Sequence, residues 1–305
     1  MSAQDGTDKG LASPPAFFIG GSGRSGTSIL MDLLNCHRDI AAVPYETRVA
    51  ADDALREFPA AMVQCPAAGR RKVTQFIKNH IMSQCFRFQV DWQNATRDGW
   101  RGWHMWIDRQ GVEDCLPLLD RMETAASEAE SYVLFGQFLD ALFGRHAEKE
   151  GKRHWLEKTP VNSIHADFLY KCFPHMRLLT IVRDGRDVAC SVVKQPWGAD
   201  NHPEALDWWA GSLFWTVDAQ KRIPEGTYLN IRYEDLILRP VRTLHQVVDF
   251  LGVDWDDNLL SIQLSSASIG RWQRDMPPEA VRYARNRYGD MLTALGYTFS
   301  EDVAA

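Results

Sequence analysis

Residues 16–35 read AFFIGGSGRSGTSILMDLLN. The apolar run Ala16 to Ile19 ends in two glycines, and Ile29, Leu30, Leu33 and Leu34 then fall on one side of a helix predicted over residues 26–35. Strand, small-residue loop and helix in this order open an α/β unit. The loop, GGSGRSGTS from Gly20 to Ser28, lets backbone N–H groups approach an anion, and the helix N-terminus adds unpaired donors and a favourable dipole. Arg24 offers a forked pair of donors, and Ser25, Thr27 and Ser28 add hydroxyls.

Two well-known phosphate loops fit this stretch poorly. A Walker A loop requires G-x-x-x-x-G-K-[ST]. Gly21 and Gly26 have that spacing, but Thr27 stands where the lysine belongs. Gly21, Gly23 and Gly26 also match the dinucleotide pattern G-x-G-x-x-G, yet Arg24 and Ser25 crowd the turn. Asp39 and Glu46 are candidate ribose ligands only under that dinucleotide reading.

Further along, helices are predicted over about 70–88 and 126–143, the second with Tyr132, Phe135, Leu139, Leu142 and Phe143 at helical spacing. Between them Trp92, Trp100, Trp103 and Trp106 crowd a segment, 91–110, that has no clean period. The α/β pattern returns after Gly151. Strands are predicted over His154–Leu156, Arg177–Val182 and Thr227–Arg232. Helices are predicted over Asn162–Lys171, Asp184–Val193, 203–221, Pro240 to near Gly252, and Pro278–Leu295. The expected fold is α/β: a P-loop-like central parallel sheet flanked by helices, with a helical, Trp-rich inserted cap.

Ligands of such sheets bind at the carboxyl ends of the strands. A second anion candidate falls there. IVRDGRDVACSV, Ile181 to Val192, ends a strand and enters a helix, with Arg183 at the sheet edge and Ser191 roughly two helical turns on. Alone, RDGRD could also be a salt-bridged, solvated turn, the lesser of the two readings. Taken with the first loop, a bipartite phosphate site is the more economical reading.

These motifs resemble the PAPS-dependent sulfotransferases, which use 3'-phosphoadenosine 5'-phosphosulfate (PAPS) as donor and release PAP. Gly23, Arg24, Ser25, Gly26, Thr27 and Ser28 look like the family's 5'-phosphosulfate loop, P-[KR]-[ST]-G-T-[ST], with glycine in place of the usual proline. CHRDIAAVPYETRV is similar to the bacterial and tyrosylprotein branches. The resemblance implies that Arg183 and Ser191 hold the 3'-phosphate. SASIGRWQRD looks like a late nucleotide-binding loop, which implies Gly270, Arg271 and Trp272 near the same phosphate or the adenine, with Arg274 able to take the part of Arg271. RYEDL resembles a further landmark, in which Tyr233 and Glu234 are read as braces of the sheet edge and Tyr233 is also counted with the donor site.

Transfer of a sulfonate requires an acceptor that loses a proton, in-line approach, and donors for the charge that grows on the leaving phosphate. Read alone, Glu46 is a solvated glutamate beside Arg48; the E-T-R resemblance makes it the first candidate for the base. Lys158, in WLEKTP, resembles the family's K-[DTS]-P strand end and is the implied catalytic companion. Arg24 is expected to approach the donor from the loop. Pro160 stands near where the cytosolic branch carries its catalytic histidine, so a histidine-base model is set aside. Glu157 and His104 remain competing bases. Strand alternation allows only one of Glu157 and Lys158 to face the pocket.

The remaining features set boundaries. The net charge of -6 disfavours a nucleic-acid partner. Residues 1–15, read as a flexible segment, lack a signal peptide's apolar core, and no run is long enough to span a membrane, so the expected location is the cytoplasm. Six scattered cysteines, at 36, 65, 85, 115, 172 and 190, read as reduced, and no metal-ligand spacing is present. Residues 16–305 are expected to form a single domain in which 51–150 is the acceptor-binding insertion. The acceptor is a small molecule, carbohydrate or peptide, through a hydroxyl in preference to an amine. A homo-oligomer is open. The rival functions are a P-loop kinase of a small molecule or nucleotide, and a non-catalytic nucleotide-binding scaffold or sensor.

Overall fold

The computed structural model describes residues 15–85, 89–90, 100–101 and 103–299. The chain runs β1 (Phe17–Gly21), α1 (Thr27–Asn35), β2 (Ile40–Ala42), α2 (Asp53–Gln64), α3 (Ala67–Cys85), the short antiparallel pair β3 (Gln89–Val90) and β4 (Trp100–Arg101), α4 (Arg109–Cys115) and α5 (Glu128–Lys149). It continues through β5 (His154–Lys158), α6 (Ala166–Cys172), β6 (Arg177–Val182), α7 (Gly185–Val192), α8 (His202–Gln220), β7 (Tyr228–Arg232), α9 (Tyr233–Leu238), α10 (Pro240–Leu251), α11 (Trp272–Asp275) and α12 (Pro278–Ala294). Short 3-10 turns occupy Trp103–Met105, Leu116–Thr124, Pro160–Ser163 and Asp257–Leu260.

The main sheet is parallel throughout, in the order β2-β5-β1-β6-β7. β1 lies at its centre, and all five of its residues are buried, as a strand covered on both faces requires. The carboxyl ends of all five strands share one edge. The chain leaves that edge through Glu46 after β2, Lys158 at the end of β5, the Gly-rich loop after β1, Arg183 after β6 and Tyr233 after β7.

The helical insertion covers one face of this sheet. Phe58, Met62, Trp103, Trp106, Phe135, Phe138 and Phe143 pack in one cluster with Phe18, Trp155 and Leu178 of the strands. α5 starts at Ser127, whose hydroxyl accepts from Glu130 N, and runs to Lys149, six residues beyond the predicted end. The opposite face is covered by α1 and α10, with Leu30, Leu33, Val247 and Val248 against Phe17, Ile19 and Leu179.

Most predicted elements are found with shifted ends. β5 extends to Lys158, and the helix predicted from Asn162 divides into the Pro160–Ser163 turn and α6. β2 and α2 are additions to the sequence reading. β2 has only three residues, too few to display a period. α2 carries Pro59 in its interior, which reads as a breaker, but the Asp52 carboxylate caps it by accepting from Leu55 N. RYEDL opens a helix, α9, directly from the end of β7. Of the expected flexible segment 1–15, residues 1–14 lie outside the described residues, as does Trp92. The five described cysteines are free thiols. Among the described residues no helix is long and apolar enough to cross a membrane.

Candidate active site

The loop after β1 is shaped by two residues with left-handed backbones, Arg24 at φ 67° and Gly26 at φ 104°. Gly26 precedes α1, and no side chain caps the helix, which leaves its first N–H groups open to an anion. A side chain at Gly26 would meet Tyr233: an added Cβ lies 2.4 Å from the ring. Ser25 is fully buried and its hydroxyl donates to Ser22 O at 2.6 Å. In this position it braces the loop. Thr27 and Ser28 line the cavity beside the loop, with Gly23 and Arg24.

Arg24 joins the two anion motifs. Its Nε donates to Ser191 Oγ at 3.0 Å, and its carbonyl accepts from Arg183 Nη1 at 3.2 Å. Arg183 is buried, lies 4.4 Å over the Tyr233 ring, and donates from Nη2 to Ser268 O at 2.5 Å. Its Nε is buried with no hydrogen-bond partner. Burial, then the nearby positive charges of Arg183 and Arg271, push the Arg24 guanidinium below its ordinary pKa. Clustered arginines with an open donor and an uncapped helix start fit an anionic phosphate donor.

The late loop is anchored from beneath. Asp187, on α7, accepts from Gly270 N at 2.8 Å and Trp272 N at 3.0 Å. Arg271 pairs with Asp275 through Nε and Nη2. Trp272 is buried, with Arg186 3.9 Å over its ring, so its side chain belongs to the core under the loop. Arg274 is largely exposed and also pairs with Asp275. Tyr233 wedges between Gly26 and Arg183, its hydroxyl 2.8 Å from Ser268 Oγ, which makes it a brace of both anion motifs.

A cavity of about 990 Å³ opens on the other side of the loop. Arg24, Glu46 and Lys158 all line it, and Lys158 Nζ donates to Glu46 Oε1 at 3.1 Å. Arg183 stands behind the loop, bonded to Arg24. Glu157 points the other way, as alternation requires. It is buried, and accepts from Thr47 N, Thr47 Oγ1, Thr159 Oγ1 and Asn162 Nδ2. Burial pushes its carboxyl up, against the pull of these hydrogen bonds. It is therefore removed from the candidate bases, because no acceptor can reach it from the cavity. His104 sits exposed on the Trp103–Met105 turn, outside the cavity lining. Asp39 lies at the amino end of β2, the wrong edge for a ribose ligand.

Several cavity residues were not foreseen. Among the described residues, 51–150 contributes only Ala51 to the wall, and Trp103 and Trp106 are core residues. The aromatic wall comes from Trp197 and Trp208, half-exposed with ring centroids 6.3 Å apart. Trp208 packs on the loop: a Cβ at Gly23 would lie 3.0 Å from its ring, close packing at the position where the resembled loop carries proline. In the adjacent Trp208-Trp209 pair, Trp209 is buried in the core and Trp208 reaches the cavity. From α1, Ser28, Met31, Asp32 and Asn35 face the cavity at helical spacing. Burial raises the Asp32 carboxyl, against the pull of Lys158.

The uncapped start of α1, the clustered arginines and the Glu46–Lys158 cavity all lie along the carboxyl edge of the parallel sheet. The model of the sulfotransferase family matches residues 15–257, and the chain belongs to that family. It is 24% identical over 251 residues to protein-tyrosine sulfotransferase 2 of Gallus gallus, an alignment covering 81% of this chain and 53% of that protein. It is 21% identical over 251 residues to protein-tyrosine sulfotransferase A of Caenorhabditis elegans, covering 81% and 52%. The chain thus spans about half the length of the curated relatives it matches. In fold it is similar to a sulfotransferase domain from the curacin biosynthetic pathway, with TM-score 0.55 and 17% identity over 94% of this chain and 99% of that one.

Proposed function

We propose that this protein transfers a sulfonate group from PAPS to a hydroxyl of a small-molecule, carbohydrate or peptide acceptor, with Glu46 as the general base. The observation that carries the reading is the position of Arg24, which is bonded to Ser191 and Arg183 on one side and lines the Glu46–Lys158 cavity on the other.

The donor, when bound, supplies the sulfonate group and leaves as PAP. The uncapped start of α1, with Thr27 and Ser28, would hold the 5' end. Arg183, Ser191 and the Gly270–Arg271 segment would hold the 3'-phosphate. Glu46 takes the acceptor's proton as the acceptor oxygen bonds to sulfur and the sulfur–phosphate oxygen bond breaks. Lys158 orients the Glu46 carboxylate and, with Arg24, meets charge growing on the transferred group and the leaving phosphate. Trp197, Trp208 and Asp32 form the wall against which the acceptor is held.

Calorimetric titration with PAP and with ATP tests the donor, and transfer of labelled sulfonate from PAPS to an acceptor panel tests the reaction. PAP binding much tighter than ATP binding, followed by label transfer, is the expected result. Preference for ATP with phosphate transfer would replace this reading with a kinase. Binding of PAP without transfer to any acceptor would favour a sensor.

A further inference from the structure

Glu46 and Thr47 are chain neighbours, and so are Glu157 and Lys158. The two pairs meet as pairs, on opposite faces of β5. On the cavity face, Lys158 Nζ donates to Glu46 Oε1 at 3.1 Å. On the buried face, Glu157 Oε1 accepts from Thr47 N at 3.1 Å and from Thr47 Oγ1 at 2.9 Å.

The buried contact is part of a larger tie. The same Glu157 oxygen accepts from Thr159 Oγ1 at 2.7 Å, and that hydroxyl accepts from Arg48 N at 3.2 Å. Glu157 Oε2 accepts from Asn162 Nδ2 at 2.6 Å, and the same amide donates to Ile19 O of β1 at 3.1 Å. Thr47 O accepts from Trp103 Nε1 at 3.2 Å, so Thr47 is held at its amide, hydroxyl and carbonyl. One carboxylate therefore links the Glu46–Arg48 turn, the end of β5, and β1 just before the anion loop.

Two features say that this tie does more than fill the interior. Tyr45 at φ 65° and Arg48 at φ 59° flank the turn in left-handed conformations that non-glycine residues rarely adopt. Such strain persists only where surrounding contacts over-determine it, and it concentrates at functional sites. Glu157 is also a buried carboxylate that, among the described residues, no cation pairs with. An apolar side chain would cover the same ground without desolvating a charge.

We propose that Glu157 is a positioning residue, whose bonds to Thr47 and Thr159 fix the strained Tyr45–Arg48 turn so that the Glu46 carboxylate meets Lys158 in the cavity. The inference rests on Glu46 and Lys158 acting as read above. It acts through Glu46 and touches no substrate.

The test uses the full chain, with PAPS and 4-nitrophenol as donor and acceptor probe. In Glu157→Gln an amide nitrogen faces the Asn162 amide or the Thr47 amide, and one bond is lost whichever way it turns. We expect kcat to fall about tenfold or more, with the PAP dissociation constant within about twofold of wild type. A double-mutant cycle separates positioning from general stability. In a Glu46→Gln background, Glu157→Gln should lower kcat by less than about twofold, because Glu46 is the route through which it acts. A structural defect would lower both backgrounds alike and overturn the proposal. Thr47→Val removes the hydroxyl's bonds to Glu157 Oε1 and Val49 N while keeping volume, and should lower kcat in the same direction; Thr47→Ser should restore it. These Thr47 variants carry the test if Glu157→Gln does not fold.

A crystal structure of Glu157→Gln, or of Thr47→Val, gives a readout independent of turnover. Glu46 Oε1 should stand beyond 4 Å from Lys158 Nζ, against 3.1 Å in the native chain. An unchanged pair would overturn the proposal. Failure of the wild type to bind PAP would instead remove the sulfonate reading and leave the structural outcome standing.

Discussion

Arg24 Nε donates to Ser191 Oγ at 3.0 Å across 167 positions of sequence. The bond ties the loop after β1 to the far end of α7, and in the proposed reading it closes the donor cradle. It also makes Ser191 an orienting group for the guanidinium that lines the cavity. Arg24→Ala is expected to lose at least about a hundredfold in turnover with the fold intact, the usual effect of removing one donor to a transition-state oxygen. Ser191→Ala removes the acceptor of the Arg24 bond and the proposed phosphate contact, and should weaken PAP binding by about three- to tenfold. Calorimetry and single-turnover kinetics check both. Equal losses of PAP affinity in the two variants, with normal turnover on saturated enzyme, would show that Arg24 only binds.

The pairing of Lys158 with Glu46 assigns different defects to the two side chains. Lys158→Ala should lose at least about a hundredfold in kcat, because it removes the hydrogen-bond partner of Glu46 and, in the proposed reading, a charge beside the leaving group. Glu46→Gln keeps shape and removes the proposed proton acceptor, so turnover should fall while PAP affinity stays within about twofold. Purified Glu46→Gln with near-normal turnover would remove Glu46 as the base. These two residues were legible in the sequence through E-T-R and E-K-T-P, but their 3.1 Å contact was not, since it depends on β2 lying beside β5. β2 escaped notice because three residues show no period. Glu157 stays open in the sequence for a related reason. Its adjacency to Lys158 makes it a competing base, and alternation says that only one of the two faces the pocket, but only the Thr47 and Asn162 partners decide which. Trp103 and Trp106 are core residues, while the cavity wall uses Trp208 from an adjacent pair whose other member, Trp209, is buried; sequence count alone does not tell the two apart.

Gly26 tests the loop itself. Its φ of 104° is unfavourable for any side chain, and an added Cβ would lie 2.4 Å from Tyr233 Cδ2 and 3.3 Å from Ile181 Cδ1. Gly26→Ala must therefore shift the loop or the Tyr233 ring, which also supports Arg183. A loss of about 2 kcal/mol or more in unfolding free energy is expected, together with at least a tenfold loss of PAP affinity. Denaturant melts and calorimetry read the two effects. Wild-type affinity in a folded Gly26→Ala protein would show that the loop conformation is not what binds the donor.

Asp187 predicts a pH dependence of stability. Its buried carboxyl is pushed up to about 6, first by burial and also by the charge of Asp184; the Trp272 and Gly270 amides and Arg183 pull it down. Arg183 Nη2 is 3.8 Å away, too far for a close pair. The folded-state value lies above the ordinary 3.8, so the folded chain holds more protons than the unfolded chain between those limits. The stabilising contribution is therefore full below about pH 4 and is lost as pH rises through about 6, a change on the order of 3 kcal/mol. Asp187→Asn cannot ionise, and it keeps one acceptor for the two amides. Its unfolding free energy relative to wild type should improve between pH 4.5 and pH 7, measured by urea denaturation at both values. If that difference does not change with pH, Asp187 is ionised across the whole range, and the Gly270–Trp272 loop is held by a charge that the fold accommodates without penalty.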